Sequence, residues 1–174
     1  MLTLKALAYL EAEVEEEIKG LSRTCTILRN KGFFDEKSAR RKLSDEVVLR
    51  GVAGMLQDYY SGTERIFKRI AAEIDERLPK GESWHKSLLN QMKMEVPGIR
   101  PAIISESTSD RLDDLRGFRH RVGNIYGFNL IPERVLTHLL ALPGLHVALE
   151  AEIRLFFETM KQKVKGKLIP HGSP

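Results

Sequence analysis

The chain has 174 residues, of which 42% are apolar and 30% are charged, a composition that excludes an intrinsically disordered chain and suits one domain with a buried core. The net charge of +4 and the pI of about 9.2 allow binding to nucleic acid without requiring it. No apolar run is long enough to cross a bilayer, and the single cysteine, Cys25, excludes an internal disulfide and a cysteine-rich zinc site. Because the first residues lack the pattern of a secretory signal, we expect a cytoplasmic protein.

Apolar residues recur at helical spacing along almost the whole chain, which predicts an all-α, up-and-down bundle of about five helices. The first predicted helix covers residues 4–28, the second covers residues 44–77, and a shorter third helix covers residues 83–94. Three glycines interrupt the second helix and predict the close approach of another helix backbone there: Gly51, Gly54 and Gly62.

Two further helices complete the predicted bundle. The fourth covers residues 110–126, after a cap at Thr108 or Ser109 whose side-chain oxygen would accept from exposed amides. The fifth covers residues 131–164, and Pro143-Gly144 is expected to kink or divide it.

Neither a repeat nor a change in composition suggests a second domain, so we expect one domain over residues 1–164 and a disordered tail over residues 165–174. The sequence has no glycine-rich phosphate loop and no HExxH motif, and we expect neither a metal nor a cofactor. His85 follows a tryptophan at the start of the third helix, where it is either a packed structural histidine or part of a binding rim.

One segment combines side chains that suit phosphodiester chemistry. On a helix, Arg116, Arg119, His120 and Tyr126 lie along one flank of an apolar stripe. Arginine donates paired hydrogen bonds to phosphate, histidine exchanges protons near neutral pH, and tyrosine offers a hydroxyl and a stacking surface. The alternative is a structural role for the arginines, in salt bridges to nearby acids: Asp113, Asp114 or Glu133.

This segment resembles the signature of the HEPN superfamily, and of its HepT-like proteins in particular. The signature has an arginine, a polar residue, a histidine a few residues later and a tyrosine two residues after that. Arg119, His120 and Tyr126 match it, whereas Asn124 stands at the histidine position. Other stretches that resemble the family follow in order along most of residues 45–130: 57–71, 81–89 and 100–102.

The resemblance implies a helical homodimer in which both copies of the motif line one cleft. It implies metal-independent RNA cleavage, in which the histidine assists attack by the ribose 2′-hydroxyl and the arginine stabilises charge on the phosphate. It also implies a nucleotidyltransferase partner of the antitoxin type, able to attach adenylate to Tyr126. The catalytic candidates are then Arg119, His120 and Asn124, while Arg116 and Tyr126 would bind substrate.

Asn124 departs from the family pattern in a way that bears on activity. An amide cannot exchange a proton as an imidazole does, and the loss of a general acid or base costs about 10²- to 10⁴-fold in rate. His120 could replace it only from about 100° away around the helix. Two alternatives remain, namely a ribonuclease toxin and a catalytically silent module that binds a nucleotidyltransferase or a nucleotide. A structural helical adaptor is a third.

Overall fold

The computed structural model describes residues 2–124 and 130–168, and it describes side chains for these residues except 120–124, 167 and 168. Over those ranges the chain forms α-helices and no β-strand, which confirms the predicted all-α bundle. The helices are α1 (Leu4–Asn30), α2 (Glu36–Lys42), α3 (Glu46–Glu73), α4 (Trp84–Lys93), α5 (Glu106–Asn124) and α6 (Pro132–Leu168). None of these helices combines the length and apolar character needed to cross a membrane.

The long helices α1, α3 and α6 pack against one another and form the frame of the bundle. One face of α1 is buried at spacings of three and four residues: Leu7, Leu10, Val14, Ile18, Leu21, Cys25 and Leu28. Burying each large apolar side chain contributes about 1.5–3 kcal/mol to folding. Helix α5 lies on this frame in contact with α3, α4 and α6, so residues of three helices can meet at its surface.

Helix α2 was not predicted from the sequence. Its seven residues include a basic cluster, and Ala39 is the one that is buried. The helix therefore lacks the regular spacing of apolar residues by which the other helices were predicted. Asp35 begins the helix by accepting a hydrogen bond from the backbone N–H of Ser38 at 2.8 Å. A local cap, rather than an amphipathic pattern, therefore defines this helix.

Helix α5 begins four residues earlier than predicted. The Ser105 hydroxyl accepts from the backbone N–H of Thr108 at 3.2 Å, in the manner of a capping residue. Thr108 and Ser109, the predicted caps, are buried inside the helix instead. The prediction placed the cap one turn too late because all three residues are hydroxyl residues with similar capping preferences.

Helix α6 continues through Pro143-Gly144, so of the two predicted outcomes the pair does not divide the helix, and a kink there stays a prediction. Proline removes one backbone hydrogen bond, but Leu142 and Leu145 on either side of the pair are buried against the frame. The helix also extends to Leu168, four residues past its predicted end. Residues 169–174, the rest of the predicted tail, lie outside the described residues.

Gly62 is the glycine of α3 at which a neighbouring helix comes close. A Cβ atom there would lie 2.7 Å from Cδ2 of Leu21 on α1, so any larger residue would require the Leu21 side chain to shift. Gly51 and Gly54 have no such neighbour within 4 Å, so the expectation of close approach was wrong for them. At Gly62 the nearest neighbours are side-chain atoms, chiefly of Leu21, and not the helix backbone that the sequence predicted.

The loop between α4 and α5 is held by Arg100, which is completely buried. Its Nε and Nη2 donate to the two carboxylate oxygens of Asp75, at 2.6 and 2.7 Å. Its remaining N–H groups donate to backbone carbonyls at 2.8–3.0 Å, those of Met94, Pro101 and Gln91. Since a guanidinium has five N–H donors, every one of them is used. This cluster fixes α4 and its loop to the end of α3.

Candidate functional site

Arg119 of α5 is anchored by a buried carboxylate from α3. Its Nη1 donates to Oε2 of Glu64 at 2.7 Å, and the Glu64 side chain is only 7% exposed. The guanidinium carbon lies 5.7 Å from the centre of the Tyr60 ring, within the range of a cation–π contact. The Arg119 side chain is still 33% exposed. The charge is thus held in place while part of it faces solvent.

Tyr60 is a buried aromatic residue whose ring lies beside the guanidinium of Arg119. Its burial, assisted by the negative charge of Glu64, raises the pKa of the Tyr60 phenol, so the ring stays neutral. The positive charges of Arg116 and Arg119 oppose this rise of the pKa without cancelling it. Tyr60 therefore provides a packing surface for Arg119 and no proton at neutral pH.

His85 of α4 contacts the other oxygen of the same carboxylate. Its Nδ1 lies against Oε1 of Glu64, and the His85 side chain is 30% exposed. The His85 ring stacks on Trp84, with 3.5 Å between ring centroids, and Lys68 Nζ lies 3.9 Å from the centre of the Trp84 ring. Three helices thus supply one connected cluster, which we call the Glu64 cluster: Tyr60, Glu64, His85 and Arg119.

Arg116 lies one turn before Arg119 and pairs within its own helix. Its Nε donates to Oδ1 of Asp113 at 2.7 Å, and this bond raises the pKa of Arg116, which keeps the guanidinium charged. Of the acids named as alternative partners, Asp113 is therefore used by Arg116, whereas Glu133 pairs with Arg40. The two arginines predicted to share a flank differ in their partners, and only Arg119 contacts a buried carboxylate on another helix.

Three predicted site residues lie beyond what the structure describes. The side chains of His120 and Asn124 are not among the described ones, and Tyr126 lies outside the described residues. Their assignment as catalytic, substrate-binding or modified residues stays a prediction.

Sequence reasoning missed Glu64 and left the role of His85 open. A signal was present for Glu64, because it lies on the apolar face of α3 in register with Tyr60, Phe67 and Ala71, which are all buried. A carboxylate on such a face needs a partner. The partners come from α4 and α5, and the sequence of α3 alone does not identify them.

The described side chains contain no group of three or more histidines, cysteines and acids close enough to hold a metal ion. In the Glu64 cluster, the carboxylate already accepts from a guanidinium and an imidazole. The chemistry available from these groups is electrostatic stabilisation of an anion by Arg119 and proton exchange by His85.

Comparison with known proteins gives one positive finding. No curated protein and no solved structure matches the chain. A family model described as HepT-like protein matches residues 51–160, which is more than half of the chain. The matched range includes Glu64, His85 and Arg119, and hence the core of the Glu64 cluster. This chain belongs to the HepT-like protein family.

Proposed function

We propose that this protein is the toxin-type member of a pair with a small nucleotidyltransferase and that it cleaves RNA without a metal. The cleavage site is a cleft between two copies of the chain in the cytoplasm. The observation that carries the proposal is the partly exposed guanidinium of Arg119, which is held by a buried carboxylate that also contacts an imidazole. Membership of the HepT-like family supports it at the coarser level of a HEPN-type protein.

The anchored guanidinium suits a phosphodiester for a physical reason. Among the described residues, Arg119 donates one hydrogen bond, from Nη1 to Glu64, so further N–H groups remain for the oxygens of a phosphate. Because Glu64 and Tyr60 already hold the side chain, little rotamer freedom is lost when substrate binds. A positive charge fixed in this way stabilises the additional negative charge of the transition state.

The other motif residues complete the proposed cleft. Arg116 adds a second positive charge one helical turn away, and in this proposal His120 and Asn124 contribute hydrogen bonds to the substrate. Adenylate added to the Tyr126 hydroxyl by the nucleotidyltransferase would place negative charge in the cleft and repel RNA. The same tyrosine thus serves substrate binding and inactivation.

The test is cleavage of single-stranded RNA by the purified protein in the presence of EDTA. We expect cleavage that persists with EDTA and is lost in Arg119→Ala. The matched control is Arg154→Ala, which removes an exposed arginine of α6 that pairs with Glu15 and Glu150. Cleavage that needs a divalent metal, or that Arg119→Ala leaves at full rate, would contradict the proposal. Equal behaviour of Arg119→Ala and wild type in RNA binding, partner binding and toxicity would favour a structural adaptor.

A catalytically silent module is the second candidate, and Asn124 favours it. In this reading the cleft binds a nucleotidyltransferase or a nucleotide and performs no chemistry. Co-purification with a nucleotidyltransferase encoded by the neighbouring gene, combined with no RNA cleavage, would support it. Arg119-dependent cutting of RNA by the isolated protein would reject it.

Both candidates use a cleft shared by two copies. Light scattering at micromolar concentration is expected to give twice the chain mass of 19.8 kDa. A monomer alone under these conditions would remove the shared cleft from both candidates.

A further inference from the structure

We propose that His85 is the catalytic imidazole of this protein and performs the proton exchange that Asn124 cannot. The inference rests on the proposed ribonuclease activity and names the group that accepts the proton of the ribose 2′-hydroxyl. It assigns the role to a residue of α4, on a different helix from the signature arginine.

The first support is the position of the imidazole relative to Arg119. Glu64 accepts from Arg119 Nη1 on one carboxylate oxygen and contacts His85 Nδ1 with the other. The guanidinium and the imidazole are therefore separated by a single carboxylate group. A phosphate bound by Arg119 would bring its adjacent ribose within reach of the His85 ring.

The second support is the orientation of the ring. An ionised carboxylate can only accept, so Nδ1 carries the proton in this contact and Nε2 is the nitrogen left to exchange one. Stacking on Trp84, whose ring also contacts Lys68, holds the plane of the imidazole. The side chain is nearly one third exposed, so substrate can approach it. A carboxylate that fixes the tautomer of a histidine is a common way to prepare it as a base.

Two other described histidines have different surroundings. His146 lies between Ser22 Oγ and the Tyr59 hydroxyl, each at 3.0 Å, and its side chain is partly buried. His138 packs its ring against Phe118, a core residue, with 4.7 Å between ring centroids. His85 is distinguished by its contact with the carboxylate of Glu64, to which Arg119 also donates.

The proposed step balances without any further reactant. His85 Nε2 takes the proton of the 2′-hydroxyl, and the 2′-oxygen forms a bond to the adjacent phosphorus. The bond from phosphorus to the 5′-oxygen breaks, and that oxygen takes a proton from water or from the imidazolium. The products are a 2′,3′-cyclic phosphate and a 5′-hydroxyl, and Arg119 neutralises charge on the phosphate throughout.

The experiment measures cleavage of an end-labelled RNA oligonucleotide in EDTA between about pH 5 and 8. It compares wild type, Arg119→Ala, His85→Gln, His85→Ala and Lys86→Gln, and the last variant changes the exposed neighbour of His85. We expect His85→Gln to lower the rate by about 10²-fold or more and to remove the rise of rate with pH that the imidazole causes. Lys86→Gln should retain the wild-type rate and pH profile. Free imidazole should restore part of the activity of His85→Ala, which a purely structural role would not allow.

The outcomes separate the two proposals. If wild type cleaves in an Arg119-dependent way and His85→Gln keeps the same rate and pH profile, the assignment of His85 is overturned and the ribonuclease stands. If wild type shows no Arg119-dependent cleavage, the ribonuclease is overturned, and the assignment of His85 with it. A loss of rate in His85→Gln without rescue of His85→Ala by imidazole would also overturn the catalytic role.

Discussion

Two arginines of this protein each pair with a buried carboxylate from α3 or its end, and they differ in what else surrounds them. Arg100 is completely enclosed, and all five of its N–H groups donate within the protein, to Asp75 and to backbone carbonyls. Arg119 donates to Glu64 and remains one third exposed. A guanidinium whose five N–H groups all donate within the protein holds a loop in place. A guanidinium with N–H groups that do not donate within the protein can bind an anion. The number of satisfied donors therefore distinguishes the structural pair from the candidate site.

The largest effect is expected for Arg100→Ala, which leaves the buried carboxylate of Asp75 without its positively charged partner and with only the Gln91 amide as a donor. Removal of one member of a buried ion pair costs about 3–5 kcal/mol. Urea unfolding should show a loss of that size. Arg154→Ala, a change in an exposed pair, should cost less than about 1 kcal/mol. Similar losses in the two variants would contradict the structural role given to Arg100.

Arg119→Ala should reduce RNA cleavage strongly and stability only moderately, whereas the effect expected for Arg100→Ala is a large loss of stability. We expect RNA cleavage to fall by about 10²- to 10³-fold, the size found when one group that stabilises transition-state charge is removed. The free energy of unfolding should fall by less than in Arg100→Ala, because Arg119 is partly solvated. Rate and stability are measured on the same preparations. A stability loss equal to that of Arg100→Ala would remove the distinction between the two arginines.

Glu64→Gln tests the shared carboxylate with a side chain of the same shape. The amide keeps one acceptor oxygen but loses the charge that holds Arg119 and the second oxygen that His85 contacts. We expect cleavage to fall roughly tenfold, equivalent to the loss of a hydrogen bond worth about 1.4 kcal/mol. Glu17→Gln, which changes the surface pair with Arg65, is the control and should leave the rate unchanged. Equal rates for wild type and Glu64→Gln would contradict a positioning role for Glu64.

The smallest effect is expected for His146, whose side chain is less exposed than that of His85. It bonds Ser22 and Tyr59, and burial lowers its pKa from 6.5, against the opposing charge of Glu150. The neutral form is thus favoured in the folded state, and nearby Arg29 adds to this effect. Stability from this group is present above pH 6.5, the ordinary pKa, and is lost as the pH falls through the lowered value.

His146→Gln should therefore reduce the loss of unfolding free energy between about pH 7 and pH 5. Urea unfolding of wild type and variant at both values measures this difference. The same loss in both proteins would show that His146 does not contribute to the acid dependence.

The sequence was sufficient to predict the helical bundle, because the helical spacing of apolar residues marks the long helices. Arg119 was chosen because its segment resembles a family signature, and its role in a site stays a prediction. The pairing of Glu64 with His85 and Arg119 depends on how three helices pack, which spacing along one helix does not specify. For the same reason the sequence left open whether Pro143 kinks or divides its helix, and the structure shows a helix that continues past it, with buried leucines on either side. Helix α2 was missed because a cap and not an apolar pattern defines it.

The most direct test of the central claim is binding of RNA that cannot be cleaved. A fluorescent oligonucleotide with 2′-O-methyl groups lacks the attacking hydroxyl, so its anisotropy reports binding by an active or a silent protein alike. We predict that Arg119→Ala binds at least about tenfold more weakly than wild type, with a salt dependence reduced by about one phosphate contact. Arg154→Ala should bind as wild type does. Equal affinities of wild type and Arg119→Ala would contradict the claim that the Glu64 cluster presents Arg119 to a phosphodiester.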